Sequence, residues 1–361
     1  MSMEAARLER KPVLFAIIAA SLFGLSTPFS KLLTGYINPV ALAGLFYLGV
    51  FTGLSLYWLI VQVIRKIQGK NNEKPYAPLS SKDFIWLSGA TISGGVLAPI
   101  CLMLGLTQTS GFTASLLLNL EAVATAFIAI IIFRENAGKY AWLALVSMTI
   151  AGVFLTWDNT AGMLNLDGPV LIIMAMICWG IDNNLTRHIS DKNPVQISII
   201  KGLIAGSISI AISLILGVKI LPDRNILFAL LVGALCYGIS LVFFIKALRI
   251  LGAYRTAVFF SFGPFIGAIA SLFLFNERIG WTMVPGVIFM IIGVRLIINE
   301  AHLHVHGHKE LYHTHQHTHD DMHHIHEHPE GDDVCHLYDH VHKELEHDHS
   351  HYPDTHHRHD H

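Results

Sequence analysis

Charged residues are scarce in this chain. Asp, Glu, Lys and Arg make up 14% of its 361 residues, where an ordinary globular domain carries about 25%. The scarcity is sharper before residue 302, because residues 302–361 alone hold 13 of the 26 acidic residues and 22 of the 23 histidines. A chain so poor in charge does not read as a water-facing domain, and no nucleic-acid partner is expected of it. Cysteine is rare too. Cys101, Cys178 and Cys236 lie in apolar runs and Cys335 lies near the end. No Cys-x-x-Cys spacing occurs, so neither a disulfide framework nor a zinc ribbon is indicated. Gly-x-Ser-x-Gly, His-Glu-x-x-His and the phosphate loop GxxxxGK[ST] are all missing. Their absence speaks against an enzyme and against a nucleotide-driven pump.

What the chain has in abundance is hydrophobicity: 53% of its residues, with a mean hydropathy of +0.51. Ten apolar runs are each about long enough to cross a bilayer. They cover residues 13–33, 39–64, 84–106, 112–133, 140–157, 169–186, 195–218, 226–248, 254–275 and 281–298. Helices are the expected form, because an open strand edge leaves backbone groups unsatisfied in lipid. Arg7, Arg10 and Lys11 precede the first run. That run is long and leads into others like it, so it reads as a span and not as a cleavable signal.

Loop charge gives the expected orientation. Loops on one side hold 15 Lys and Arg, while those on the other hold only Lys31, Lys219, Arg224 and Arg278. The basic side is the cytoplasmic one. Ten spans return the chain to its starting side, so both termini are expected in the cytoplasm, with the protein in the plasma membrane.

The chain repeats itself. FGLSTPFSK (23–31) and WGIDNNLTR (179–187) each place a glycine seven residues before a basic residue, Gly24 to Lys31 and Gly180 to Arg187. Each is followed by an Asn-Pro pair, Asn38-Pro39 and Asn193-Pro194. GFTASLLLNLEAVATAFIAIIIFRE (111–135) aligns with AYRTAVFFSFGPFIGAIASLFLFNE (253–277), and an Ile-Ala-Gly-Val or Ile-Ile-Gly-Val step follows each. Five spans per copy is odd, so the second copy sits inverted, an arrangement found in secondary transporters with a site between the halves. The expected division is a cytoplasmic N-terminus (1–11), a first repeat (12–157), a connecting loop (158–167), a second repeat (168–299) and a tail (300–361).

These residues are also where a family resemblance lies. The (F/W)-G-x6-(K/R) pattern, the small-residue helix ending in Glu135 or Glu277 and the closing Gly-Val helix resemble the EamA repeats of the drug/metabolite transporter superfamily. The resemblance covers about residues 12–299. It implies a ten-helix carrier of small metabolites, often amino acids or related compounds, working without ATP. One departure is visible: an acidic-proline pair common in the fourth span reads Glu121-Ala122 here, while the ninth span keeps Gly263-Pro264.

Ionisable groups inside spans are costly and usually face a cavity or a partner. Asp182, Asn183 and Asn184 in the sixth span, with Asn119 and Glu121 in the fourth, are the expected substrate-binding residues. The bland alternative is that the asparagines join helices and that Glu121 is a protonated, hydrogen-bonded carboxyl. Lys31 and Arg187 read as gates, or as anchors reaching from helix ends to the interface. Lys201 and Lys246 read as anchors, Glu135 and Glu277 as organisers of the turn into the last helix of each repeat, and His188 as an interfacial residue.

The tail is a different material. Residues 301–320 read AHLHVHGHKELYHTHQHTHD, eight histidines in twenty. With few large apolar residues and no helical period, it is expected to lack regular structure. Alternate residues of an extended chain point the same way. Zn, Ni, Co or Cu ions are therefore expected on His302, His304, His306, His308, His313, His315, His317, His319, His323, His324, His326 and His328. The expected protein is thus an all-α integral membrane protein of ten transmembrane helices in two inverted repeats. It moves a small solute, touches the lipid bilayer, allows a homodimer, needs no cofactor and carries a metal-binding tail. The alternative is a nickel, cobalt or zinc transporter whose tail captures the ion. A membrane-anchored metal sensor fits less well, since it needs no repeated ten-helix core.

Overall fold

The computed structural model describes residues 3–68, 78–133, 139–158, 163–164, 166–189, 192–220, 222–247, 259–277, 280–281, 283–298, 302–308, 311–317, 336–342 and 345–351. It is nearly all helical up to residue 298. The helices are α1 (Met3–Leu33), α2 (Pro39–Ile67), α3 (Asp83–Ala90), α4 (Ala98–Thr107), α5 (Gly111–Leu117), α6 (Leu120–Phe133), α7 (Lys139–Thr156), α8 (Asp167–Arg187), α9 (Pro194–Ile215), α10 (Arg224–Val232), α11 (residues 240–247), α12 (Gly263–Phe275) and α13 (Met283–Ile298). Among the described residues, six helices are long and apolar enough to cross a membrane: Val13–Leu33, Pro39–Ile67, Asp83–Thr107, Asp167–Arg187, Pro194–Ile215 and Arg224–Ala247. Four shorter apolar helices accompany them, Gly111–Thr125, Trp142–Thr156, Gly263–Phe275 and Met283–Leu296.

The two Asn-Pro pairs open helices by the same device. The Asn38 side chain accepts hydrogen bonds from the backbone N–H groups of Val40 and Ala41. That of Asn193 accepts from Val195 and Gln196. Asparagine satisfies the first free N–H groups and proline needs no partner for its own nitrogen. The closing ends differ. α9 stops at Gly217 and α12 at Asn276, both with left-handed backbones (φ 77° and 50°), where only glycine and asparagine sit without much strain.

Four interruptions depart from a plain helix reading. The segments Thr91–Leu97 and Gly233–Ile239 are π-helical, wide turns that recur at functional sites. They fall in the third and eighth apolar runs, the matching members of the two repeats. The fourth run is broken at Leu118 and Asn119, between α5 and α6, and residues 261 and 262 form a turn before α12. In the repeat alignment Asn119 stands opposite Ser261, so both copies break at the same place.

Helices in lipid gain little from hydrophobicity and associate by close packing of small residues. Here α2 and α9 meet at Gly44 against Ile210, Gly206 against Leu48 and Gly202 against Phe51. One number rises as the other falls, so these two equivalent helices run antiparallel. α7 and α13, also equivalent, do the same through Met148 against Gly293 and Leu155 against Gly286. α1 and α12 touch backbone to backbone at Gly24 and Gly263.

Beyond residue 298 the expectation of an unstructured tail differs from what is seen. β3 (His302–His308) pairs antiparallel with β6 (Leu345–His351), and β4 (Leu311–His317) with β5 (His336–His342). Alternation along the chain is what a ladder needs, since every second residue shares a face. A two-residue pairing, β1 (Trp157–Asp158) with β2 (Met163–Leu164), lies in the connecting loop.

The helix contacts give a direct test. A Cβ at Gly24 would overlap the Gly263 backbone carbonyl, whereas one at Gly152 meets only Leu117 Cδ2 at 4.0 Å. Gly24→Val is expected to lower the detergent-solubilised melting temperature by several degrees or prevent folding, and Gly152→Ala to leave it within about a degree. A thermal melt of the three purified proteins checks both.

Candidate functional site

The sixth run lies in α8, which begins at Asp167 and carries polar residues on the turn from Trp179 to Asn184. Asp182 is 7% exposed. Its two carboxylate oxygens accept from Lys201 Nζ at 2.7 and 2.8 Å, and Thr186 Oγ1 donates to it at 2.8 Å. Lys201 is 1% exposed. The expectation that Lys201 anchors a helix end is therefore corrected: its ammonium turns inward from α9 to a buried carboxylate on α8. The backbone opposite had to be glycine, because a Cβ at Gly94 would overlap the Asp182 carboxylate.

Gly94 lies in the first π segment, and its carbonyl accepts two side-chain bonds. Tyr47 Oη donates at 2.8 Å and Trp179 Nε1 at 2.9 Å. A third side chain ties the same helices, Ser93 Oγ to the Cys178 carbonyl at 2.6 Å. The ion pair, the π segment and the aromatic donors thus form one polar layer between α2, α8 and α9.

Next to it stands a second group. Asn183 Nδ2 donates to Glu121 Oε1 at 2.8 Å and to Thr125 Oγ1 at 3.2 Å. Asn184 Nδ2 donates to the carbonyls of Thr125 at 3.1 Å and Gly180 at 2.8 Å, the helix-joining role that asparagine plays in membranes. Glu121 and Asn183 are half-buried. Asn119 is 3% exposed, and among the described residues neither its amide oxygen nor its nitrogen has a hydrogen-bond partner. It occupies the break between α5 and α6, where the chain's own helix bonds are already interrupted.

The remaining expected residues are scattered. Lys31 ends α1 and donates to the Leu106 carbonyl at 2.5 Å. Arg187 lies in the last turn of α8, half-buried. His188 stacks on the Trp86 ring with centroids 4.2 Å apart. Glu277 does more than shape its own turn: its carboxylate accepts from the backbone N–H groups of Gly111 at 2.7 Å and Phe112 at 2.8 Å, capping α5 from the other repeat. Glu135, His319, His323, His324, His326 and His328 lie outside the described residues. His302, His304, His306 and His308 lie on β3, and His313, His315 and His317 on β4. Among the described residues, no group of three or more His, Cys, Asp or Glu converges on a metal position. A groove of about 560 Å³ beside Trp58 and Gln196 contains none of the site residues.

Sequence reasoning singled out Asp182, Asn183, Asn184, Asn119 and Glu121 but not Lys201 as the partner of Asp182. Lys201 had a usable signal, a lysine with apolar residues on both sides inside a span. Trp179 had one in opening the second repeat motif, whereas Tyr47 had none, since aromatic residues are common in such runs.

The helical order and the two matching halves are those of a known family. A family model described as the EamA-like transporter family matches residues 10–157 and 166–299. The chain belongs to the EamA-like transporter family. Two relatives agree with that. One is an uncharacterized transporter of Methanothermobacter thermautotrophicus, 26% identical over 308 residues, covering 81% of this chain and 88% of that one. The other is the uncharacterized transporter YyaM of Bacillus subtilis, 25% identical over 293 residues, covering 78% and 90%. A solved structure described only as the crystal structure of a protein shares the fold, with a TM-score of 0.56 and 11% identity over 80% of this chain and 98% of that one. As an EamA protein the chain is a multi-pass membrane transporter and not an enzyme, with a solute and lipid as its partners.

The ion pair sets the stability expectation of this transporter. Removing one partner of a buried pair leaves an uncompensated charge and costs about 3–5 kcal/mol, while replacing both by apolar groups is often neutral. Lys201→Met alone is expected to destabilise strongly. Lys201→Met with Asp182→Leu is expected to recover most of the loss in a thermal melt. A double variant no more stable than the single one would show that the two groups are not coupled.

Proposed function

We propose that this EamA protein is a secondary transporter that moves a small amino-acid-like metabolite across the plasma membrane by alternating access. The six long and four shorter apolar helices are its ten spans. The antiparallel packing of equivalent helices, α2 with α9 and α7 with α13, supports an inverted second repeat, because an in-plane twofold axis reverses direction. The observation that carries the reading is the Glu121–Asn183 pair beside the unpartnered Asn119 amide. It is a polar group set at a helix break inside an apolar protein, where discontinuous helices build solute sites. Asp182 supports the site from behind through Lys201, and Asn184 holds α8 to α6. Lys31 and Glu277 sit at the ends of helices from different repeats, where gating contacts belong. The loop-charge bias supports cytoplasmic termini.

The tail is a metal-binding segment in this reading. Its ladders set histidine opposite histidine at His302 and His351, His304 and His349, His306 and His347, His313 and His340, and His317 and His336. Directly opposed residues have Cβ atoms about 5 Å apart, which suits a pair of imidazoles sharing a zinc, nickel, cobalt or copper ion. That feature also supports the second reading, in which such an ion is the cargo.

Cells expressing the full chain, a truncation after Asn299 and Asn183→Ala separate the two. Amino-acid and metal contents are measured in each. For a metabolite carrier, the full chain changes the content of at least one amino acid, Asn183→Ala reduces that change about tenfold, and the truncation alters only bound metal. If metal content changes with the full chain and Asn183→Ala cancels it, the cargo is the ion.

A further inference from the structure

We propose that Glu277 latches an outer gate: its cap on α5 holds the seam of α1, α5 and α12 shut, and release of that cap opens the seam from the outer face. This rests on the transporter reading above and adds a moving part to it. The argument starts from the first turn of α5. A helix begins with backbone N–H groups that find no partner within the helix. Ser110 Oγ accepts from Thr113, and the Glu277 carboxylate takes Gly111 at 2.7 Å and Phe112 at 2.8 Å. The helix dipole favours an anion at that position, and hydrogen bonds to a charged group are the stronger ones. The start of α5 therefore depends on a side chain of the other repeat staying docked on it. Glu277 is itself half-buried, so water can take its place on release. Lys31, in the last turn of α1, lies within electrostatic reach of the same carboxylate. By the loop-charge orientation, this end of the three helices faces away from the cytoplasm.

The cap holds a short lever over a polar seam. α5 is seven residues long, and the break at Leu118 and Asn119 separates it from α6. At 1.5 Å per residue, Gly111 stands about 12 Å from Asn119. Tilting α5 on that break moves its outer end while α6 stays in place. The contact of α5 with α12 runs antiparallel. A Cβ at Gly111 would lie 2.8 Å from Ser271 Oγ, and one at Gly267 3.0 Å from Ser115 Oγ. Gly267 also abuts the Gly24 carbonyl of α1, and Thr27 stands one turn further along that helix. Thr27, Ser115 and Ser271 are fully buried. Among the described residues none of their three hydroxyls has a hydrogen-bond partner. Each carries an uncompensated desolvation cost in the closed seam, and water entering a parted seam removes it. A seam built only to stay shut gains nothing from such groups.

Accessibility is read on cells expressing the full-length protein, with a membrane-impermeant maleimide added outside. The parent chain, with its own cysteines, gives the background. Ser271→Cys is expected to label slowly, and Ser271→Cys with Glu277→Gln at least about fivefold faster. Ser209→Cys on α9 is the control, since Ser209 is as deeply buried and also lacks a partner among the described residues. It is expected to stay unlabelled with or without Glu277→Gln. A melt checks that each variant is folded. If Glu277→Gln does not fold, Glu277→Asp, one methylene shorter, replaces it, with an expected increase of at least about twofold. Unchanged labelling at Ser271→Cys overturns the inference. So does an equal rise at Ser209→Cys, which means general loosening, or a rise seen only in inside-out vesicles. Amino-acid contents of the same cells separate this from the broader reading. Where the wild type changes a content, Glu277→Gln is expected to cut that change at least about threefold. An undiminished change rejects the gate and leaves transport. A seam that opens in Glu277→Gln, in a protein that moves no amino acid, rejects that cargo and leaves the gate.

Discussion

A charge or an unpaired amide inside a bilayer has no water to turn to, and that constraint shapes this protein throughout. Helices must satisfy their own backbones, so they approach through glycine and alanine, and side chains that are polar must find one another. The Asp182–Lys201 pair is the severest case. It joins α8 to α9 with two short bonds and needs Gly94, in a π segment, to make room for the carboxylate. The same π segment turns its Gly94 carbonyl to Tyr47 and Trp179, which ties α2 into the layer. The polar centre is therefore held by a group that is neutral overall and by two aromatic donors that end on one carbonyl.

Against that satisfied layer, the neighbouring group is conspicuous for what it leaves open. Glu121 is held by an amide and not by a cation, and Asn119 by nothing among the described residues. A fully bonded network rigidifies, while an incompletely bonded one carries a standing desolvation cost. The two sit within a few residues of each other at an interrupted helix. The division of labour between Asp182 and Glu121 follows from partners, not from residue type.

Much of this was legible in the sequence. The apolar runs located the helices, the Asn-Pro pairs marked two helix starts, and the repeat alignment placed Asn119 opposite Ser261, where both copies break. Asp182, Asn183 and Glu121 stood out because acids and amides are rare in spans. What could not be read were the pairings. Lys201 lies 19 residues from Asp182, and a one-dimensional reading assigns such a lysine to the interface. Glu277 lies 166 residues from Gly111 and belongs to the other repeat, so its role as a helix cap depends on how the halves dock. π turns have no composition of their own beyond glycine and small residues. In the tail, alternation fits both an unstructured chain and a ladder, and only pairing distinguishes them.

The antiparallel meeting of α2 with α9 has an electrostatic consequence. Each helix carries roughly half a positive charge at its first turn and half a negative charge at its last. Two parallel helices of some twenty residues, pressed together in a medium of low dielectric constant, would set like poles side by side. Running opposite ways, these two lay each positive end beside a negative one, so their fields largely cancel along the seam. This close contact between the repeats is thus also one where the backbone dipoles oppose each other.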